Sequence, residues 1–109
     1  DAALPALGPE PHDAAFDAAH LARALRGRRG PIKPALLDQA LVAGVGNIYA
    51  AEALWEAALD PRVRVDTLGP RRLGRVVDGV RTVIARALDD PGRYRDDEAL
   101  ARLAVYGRE

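Results

Sequence analysis

The chain has 109 residues, of which 49% are hydrophobic and only 5% aromatic, with sixteen acidic residues balancing sixteen basic ones and no cysteine. That length supports one modest core and not two, and the lack of cysteine excludes disulfides and thiolate metal sites. The longest uncharged run, 39–51, is too short and too glycine-rich to cross a bilayer, and no signal-peptide pattern opens the chain, so a cytoplasmic protein without a membrane partner is expected. Residue 1 is Asp1 and not Met, which points to a start after processing or inside a longer protein. Residues 1–12 contain Leu4-Pro5 and Leu7-Gly8-Pro9-Glu10-Pro11 and read as a proline-stiffened lead-in.

Asp13 is the expected N-cap of a first helix ending near Gly27, with Phe16, Leu21 and Leu25 among its apolar residues. After the loop Gly27-Arg28-Arg29-Gly30, a short second helix is predicted from Pro34, whose fixed backbone suits a first helical position, to Gln39 or Ala40. Leu36, Leu37 and Leu41 would point inward. Gly44 and Gly46 follow, and Asn47 is placed to cap a third helix from Ile48 to about Ala58. Ile48, Ala51, Trp55 and Leu59 would share one face, and Asp60-Pro61 would end the helix. A fourth helix, Pro70 to Leu88, carries the clearest three-four stripe: Leu73, Val76, Val77, Val80, Val83, Ile84, Ala87 and Leu88. Asp90-Pro91-Gly92 stops it, and a weak helix over 97–103 precedes Val105-Tyr106-Gly107-Arg108. No segment alternates as a strand would. The expected class is all-α, a small bundle of about four helices.

The neutral total hides an uneven distribution. Arg23, Arg26, Arg28, Arg29 and Lys33 face the single acid Asp38 between 23 and 47, while Asp89, Asp90, Asp96, Asp97 and Glu98 gather downstream. Such a basic stretch attracts polyanions or simply forms a solvated face. Lys33 is the one lysine among sixteen cations, and a compact ammonium and a broad guanidinium fork are not equivalent at a tight site.

The informative unit is a short helix, a glycine-rich turn and a second helix. Gly44 and Gly46 allow close backbone approach to a ligand, and the unpaired N–H groups opening the third helix suit an anion. Asn47 can add a donor and Lys33 a charge, which together make a phosphate clamp. From these residues alone, a turn whose glycines only let two helices pack is an equal reading.

The segments Pro31-Ile32-Lys33-Pro34-Ala35-Leu36-Leu37-Asp38-Gln39, Val42-Ala43-Gly44-Val45-Gly46-Asn47-Ile48-Tyr49-Ala50 and Glu52-Ala53-Leu54-Trp55 resemble the helix–two-turn–helix middle domain of bacterial formamidopyrimidine-DNA glycosylases. The likeness extends to Leu7–Pro11, Pro61 and Val105–Arg108, and the endonuclease-VIII-like branch of the superfamily shares much of it. It implies the DNA-backbone-binding domain of a base-excision-repair glycosylase and AP lyase acting on oxidised purines (8-oxoguanine and formamidopyrimidine) in double-stranded damaged DNA, the lesion being flipped out of the stack. It also implies that Asn47 and Tyr106 hold backbone phosphates, that Lys33 lies near the lesion and its phosphate, and that the amides around Gly46 and Ile48 line the same strand. The grip would fall on the backbone and not on base edges.

The family's nucleophile is an N-terminal proline beside a glutamate, and a zinc finger lies downstream. This chain has Asp1 and no cysteine, so no catalytic residue, metal ligand or cofactor is assigned to it. Zinc is expected only in the finger of a parent enzyme, and the isolated chain is expected to be inactive. The domain is expected over 13–104, with 105–109 beginning a linker to that finger. Ala51 stands where the family commonly has an acid, Leu59-Asp60-Pro61 replaces Ile-His-Pro, and 89–103 is short for the loop that caps an extruded base. Rival readings are a ribosomal-protein-like RNA-binding module, which a neutral chain disfavours, a pyrimidine-lesion glycosylase fragment, an enzyme using Lys33 as a Schiff-base nucleophile, and an interaction domain without DNA binding. Phe16, Tyr49 and Trp55 are expected to pack, Arg28 and Arg29 to sit in a solvated loop, and His12 and His20 lack metal-ligand company.

Overall fold

The computed structural model describes residues 7–95. Its longest helix follows from the clearest pattern: Pro70 takes the first helical position after Gly69, and the helix (α4 below) runs Pro70–Asp89. Leu73, Val76, Val77, Val80 and Val83 fall three and four apart and are all buried, with Ile84 and Ala87 packed at the margin. Leu88 departs from expectation. It lies at the edge of that stripe in the last turn and is 74% exposed.

Three shorter helices complete the set of four α-helices among the described residues: α1 Ala18–Ala24, α2 Ile32–Leu36 and α3 Asn47–Glu56. Single 3-10 turns occupy Val65–Thr67 and Arg93–Arg95, and the only β-type pairing described is an isolated bridge between Pro31 and Arg64. The class is all-α, and no described helix is long and apolar enough to cross a membrane.

Helix α1 starts four residues later than an Asp13 cap predicts. Asp17 is the cap, accepting from the His20 amide at 2.8 Å, while the Asp13 carboxylate closes a turn onto the Ala15 amide. The reason is a long-range one. Arg81 of α4 donates to the carbonyls of Pro11 (3.0 Å), Asp13 (3.1 Å) and Phe16 (2.6 Å), which holds 11–16 as turns against α4. Phe16 is fully buried beneath that guanidinium.

Helix α2 starts earlier than predicted and ends sooner. The amides of Ile32 and Lys33 donate to the carbonyls of Val63 (2.8 Å) and Pro61 (3.2 Å), so the first turn is satisfied from outside. Pro34 sits in the third helical position, where a missing N–H costs nothing. Asp38 then accepts from the Ala40 amide and turns the chain away.

Helix α3 is alanine-rich because it is covered nearly all round. Ala50, Ala51, Ala53 and Leu54 are buried, and a methyl added to Gly79 of α4 would lie 2.5 Å from the Ala53 carbonyl oxygen. The two backbones therefore touch. Of the face expected to pack, Ala51 and Leu59 are buried, Ile48 is half-buried and Trp55 is 50% exposed. The end of α3 is a Schellman motif with alanine in the usual glycine place: Ala58 has φ +56°, its amide reaches Trp55, and that of Leu59 reaches Leu54 at 3.0 Å. Arg75 covers the Ala57 carbonyl with two bonds of 3.1 and 2.9 Å.

Candidate functional site

The turn from Asp38 to Gly46 joins α2 to α3, and its last residues set the site. Gly44 has φ +85°, a left-handed conformation that side chains resist. Gly46 does not need to be glycine for its own backbone. It caps α3 in an extended conformation (φ −95°, ψ −175°), and a methyl there would meet nothing within 4 Å beyond its own chain neighbours. What its lack of a side chain leaves is open space in front of a helix start.

Asn47 is the first residue of α3 and not its cap, which corrects the sequence reading. Its side chain is turned to α2, where Lys33 Nζ donates to Asn47 Oδ1. Lys33 itself is only 1% exposed. An ammonium has donors and no acceptor, so it must face the amide oxygen of Asn47; the two N–H groups of Nδ2 are left for solvent or a ligand. Asn47 and Gly46 are exposed and Ile48 is half-buried. The first α3 bond is from the Ala50 amide to the Gly46 carbonyl at 2.9 Å, and the amides of Gly46, Asn47 and Ile48 have no hydrogen-bond acceptor among the described residues. The result is three open N–H groups, a side-chain amide donor and a buried cation behind them.

A match to the formamidopyrimidine-DNA glycosylase H2TH domain covers residues 7–97, most of the chain and all of this site. The chain belongs to that family.

Relatives agree with the H2TH assignment. A formamidopyrimidine-DNA glycosylase of Thermomicrobium roseum is 47% identical over 111 residues, spanning 94% of this chain and 38% of the relative. One of Rhodopseudomonas palustris is 50% identical over 121 residues, spanning 97% and 41%. The chain thus spans about two fifths of the length of these curated relatives. Among solved structures, the MutM (Fpg) protein of Thermus thermophilus superposes with a TM-score of 0.75 at 41% identity, covering 85% of this chain and 35% of that one. The Lactococcus lactis enzyme, non-covalently bound to DNA containing an AP site, gives 0.71 at 36% identity, covering 76% and 31%.

Within the H2TH domain, α2 and α3 are the paired helices, and Lys33, Gly46, Asn47 and Ile48 come together at their junction. Tyr106 lies outside the described residues. Beside the site, a groove of about 500 Å³ is lined by Gly44, Gly46, Asn47, Ile48, Tyr49, Ala87, Pro91 and Tyr94. Tyr49 is half-buried and meets the buried Tyr94 edge to face at 6.3 Å. Arg28 is held by Asp38 at 2.7 Å, and that guanidinium keeps the Asp38 carboxyl below the usual carboxylate range. Arg29 stays exposed. No group of three potential metal ligands occurs among the described residues. The ring Nε2 of His20 instead lies 2.6 Å from the Leu41 carbonyl, to which it donates.

Two residues of α3 and of the turn before it were not singled out from the sequence. Glu52 is 3% exposed on α3, and its only signal was a carboxylate inside an alanine-leucine run. Gln39 spans the turn: its Oε1 accepts from the Gly44 amide at 2.9 Å, and its Nε2 donates to the Leu37 and Val45 carbonyls at 3.3 Å each. A glutamine at a helix end carries no such message by itself.

Proposed function

We propose that this H2TH domain grips the phosphodiester backbone of double-stranded DNA as part of a glycosylase and AP lyase that acts on oxidised purines. The observation that carries the reading is the row of open amides at Gly46, Asn47 and Ile48, set at the positive end of α3 with the Asn47 Nδ2 donor beside it. A phosphate there would replace water as acceptor for several N–H groups at once. The Lys33 ammonium stands behind Asn47 out of bulk water and, by donating to Oδ1, fixes which way the Asn47 amide faces. None of these donors addresses a base edge, so the grip is independent of sequence. Tyr106 is proposed as a further phosphate ligand. Relatives that carry the name formamidopyrimidine-DNA glycosylase, and a MutM structure in complex with DNA containing carbocyclic 8-oxo-G, support the lesion class.

Zinc, in this reading, belongs to a finger of the parent enzyme, and the enzyme works in the cytoplasm on the chromosome. The chain itself is expected to give no borohydride-trapped adduct with abasic DNA, because the ammonium of its one lysine, Lys33, is buried and donates to Asn47. Titration of the chain with a DNA duplex, followed by amide nuclear magnetic resonance at low salt, tests the grip. The resonances of Gly46, Asn47 and Ile48 should move, with affinity at about micromolar or weaker and a log–log salt slope of about −3 for three phosphates. Stationary amides would reject the proposal.

A further inference from the structure

We infer that Gln39 is a positioning residue, whose carboxamide holds the Gly44–Val45 backbone so that the following amides stay aimed at the DNA strand. The inference rests on the backbone-gripping function proposed above.

The carboxamide acts as a substitute strand of backbone. One acceptor takes the Gly44 N–H at 2.9 Å, and one donor group serves the carbonyls of Leu37 and Val45 at 3.3 Å. It thereby links the last turn of α2 to the two residues immediately before Gly46. The Gly44 amide has no other acceptor among the described residues. The peptide on either side of Gly44 is also the one most able to swing, because φ there is +85° at a residue without a side chain.

The rest of the turn is pinned from behind by other groups. The Gly8 amide donates to the Gln39 carbonyl at 2.8 Å, and the Ala43 amide donates to the Pro9 carbonyl at 2.9 Å. A methyl on Gly8 would lie 2.4 Å from the Ala40 carbonyl oxygen, so the 8–9 segment is seated directly on the turn. His20 holds Leu41. These anchors stop at Ala43. From there to the start of α3, Val45 is buried by its side chain while the backbone is held by Gln39. Gln39 is itself solvent-exposed, and exposed hydrogen bonds add little to global stability. Its contribution is therefore to local order, at the two peptides that decide where the Gly46, Asn47 and Ile48 N–H groups point.

The test compares the wild-type chain with Gln39→Ala in three measurements: thermal unfolding, amide hydrogen exchange, and duplex binding by fluorescence anisotropy across a salt series. The expected result is an unfolding midpoint within a few degrees of wild type and exchange at the Gly44 amide faster by about tenfold or more, with α4 unchanged. Duplex affinity should fall by about tenfold, and the salt slope should stay the same because no charge has been removed. Wild-type affinity in Gln39→Ala overturns the inference. So does weakened binding with unchanged exchange at Gly44, which would make Gln39 a direct contact to the strand. If the wild-type chain itself leaves Gly46, Asn47 and Ile48 unmoved by duplex, the backbone-gripping function fails first and this inference with it.

Discussion

Gly44 and Gly46 stand two residues apart and do different work, and replacing each with alanine separates folding from binding. At Gly44, φ of +85° forces a methyl into the left-handed region. That strain, net of the entropy that alanine removes from the unfolded chain, costs about 1 kcal/mol, or about 4–8 °C in unfolding midpoint for a domain of this size. At Gly46 the backbone is extended and the new methyl meets nothing within 4 Å beyond its own chain neighbours. Its slightly poorer capping is offset by the same unfolded-state entropy, so stability should change by less than about 0.5 kcal/mol. The methyl would, however, occupy open space at the start of α3, where a strand closing on the Gly46, Asn47 and Ile48 amides would meet it. A phosphate oxygen bonded to them at about 2.9 Å would be pushed away, losing one charge-assisted hydrogen bond of about 1.5–3 kcal/mol. That corresponds to affinity lower by about 10- to 100-fold. Circular dichroism melting and fluorescence anisotropy with a labelled duplex at low salt read the two quantities. Gly46→Ala that melts normally and binds as wild type would refute the claim that this glycine is kept open for a strand.

Asn47→Asp keeps an acceptor for Lys33 and places a carboxylate at the positive end of α3, so stability should hold or rise by about 0.3–1 kcal/mol. It also replaces the outward donor with a negative oxygen, and duplex binding should fall by at least about tenfold; unchanged binding would show that the amide was not aimed outward. Gly79→Ala improves helix propensity but forces a methyl to 2.5 Å from the Ala53 carbonyl oxygen, and urea unfolding should show a net loss of about 2 kcal/mol. Ala58→Gly relieves φ +56° at the end of α3 and should gain about 0.5–1 kcal/mol in the same assay. Arg62 beside Asp60 lowers its carboxyl from 3.8 to about 2, and Arg28 and Arg64 lower Asp38 and Asp66 in the same direction. Carboxyls depressed in the folded state stabilise it above their ordinary value. These contributions should therefore be intact above about pH 4 and be lost as pH falls through 3.8 toward 2. A melting midpoint that rises between pH 4 and pH 2 would contradict the sign.

Much of the fold was legible because it depends on local pattern. The α4 stripe from Leu73 to Val83, the stop at Asp90 and the existence of α2 and α3 around a glycine turn all follow from residue spacing. The boundaries of α1 and α2 were not, because partners far along the chain set them: Arg81 holds 11–16 out of helix, and the carbonyls of Val63 and Pro61 start α2 before Pro34. The 97–103 helix and Tyr106 lie outside the described residues.

The sequence by itself determined the class, the family and the positions of the glycines, Asn47 and Lys33, since periodicity, turn chemistry and motif wording are carried by neighbouring residues. Only the tertiary structure decided what those residues do. Lys33 and Asn47 are fourteen positions apart, and nothing in their spacing says that the lysine is buried, that it takes the asparagine oxygen, or that the amides beyond Gly46 remain open. Those facts depend on how α2 packs against α3, and that packing is the sum of many small contacts spread along the whole chain.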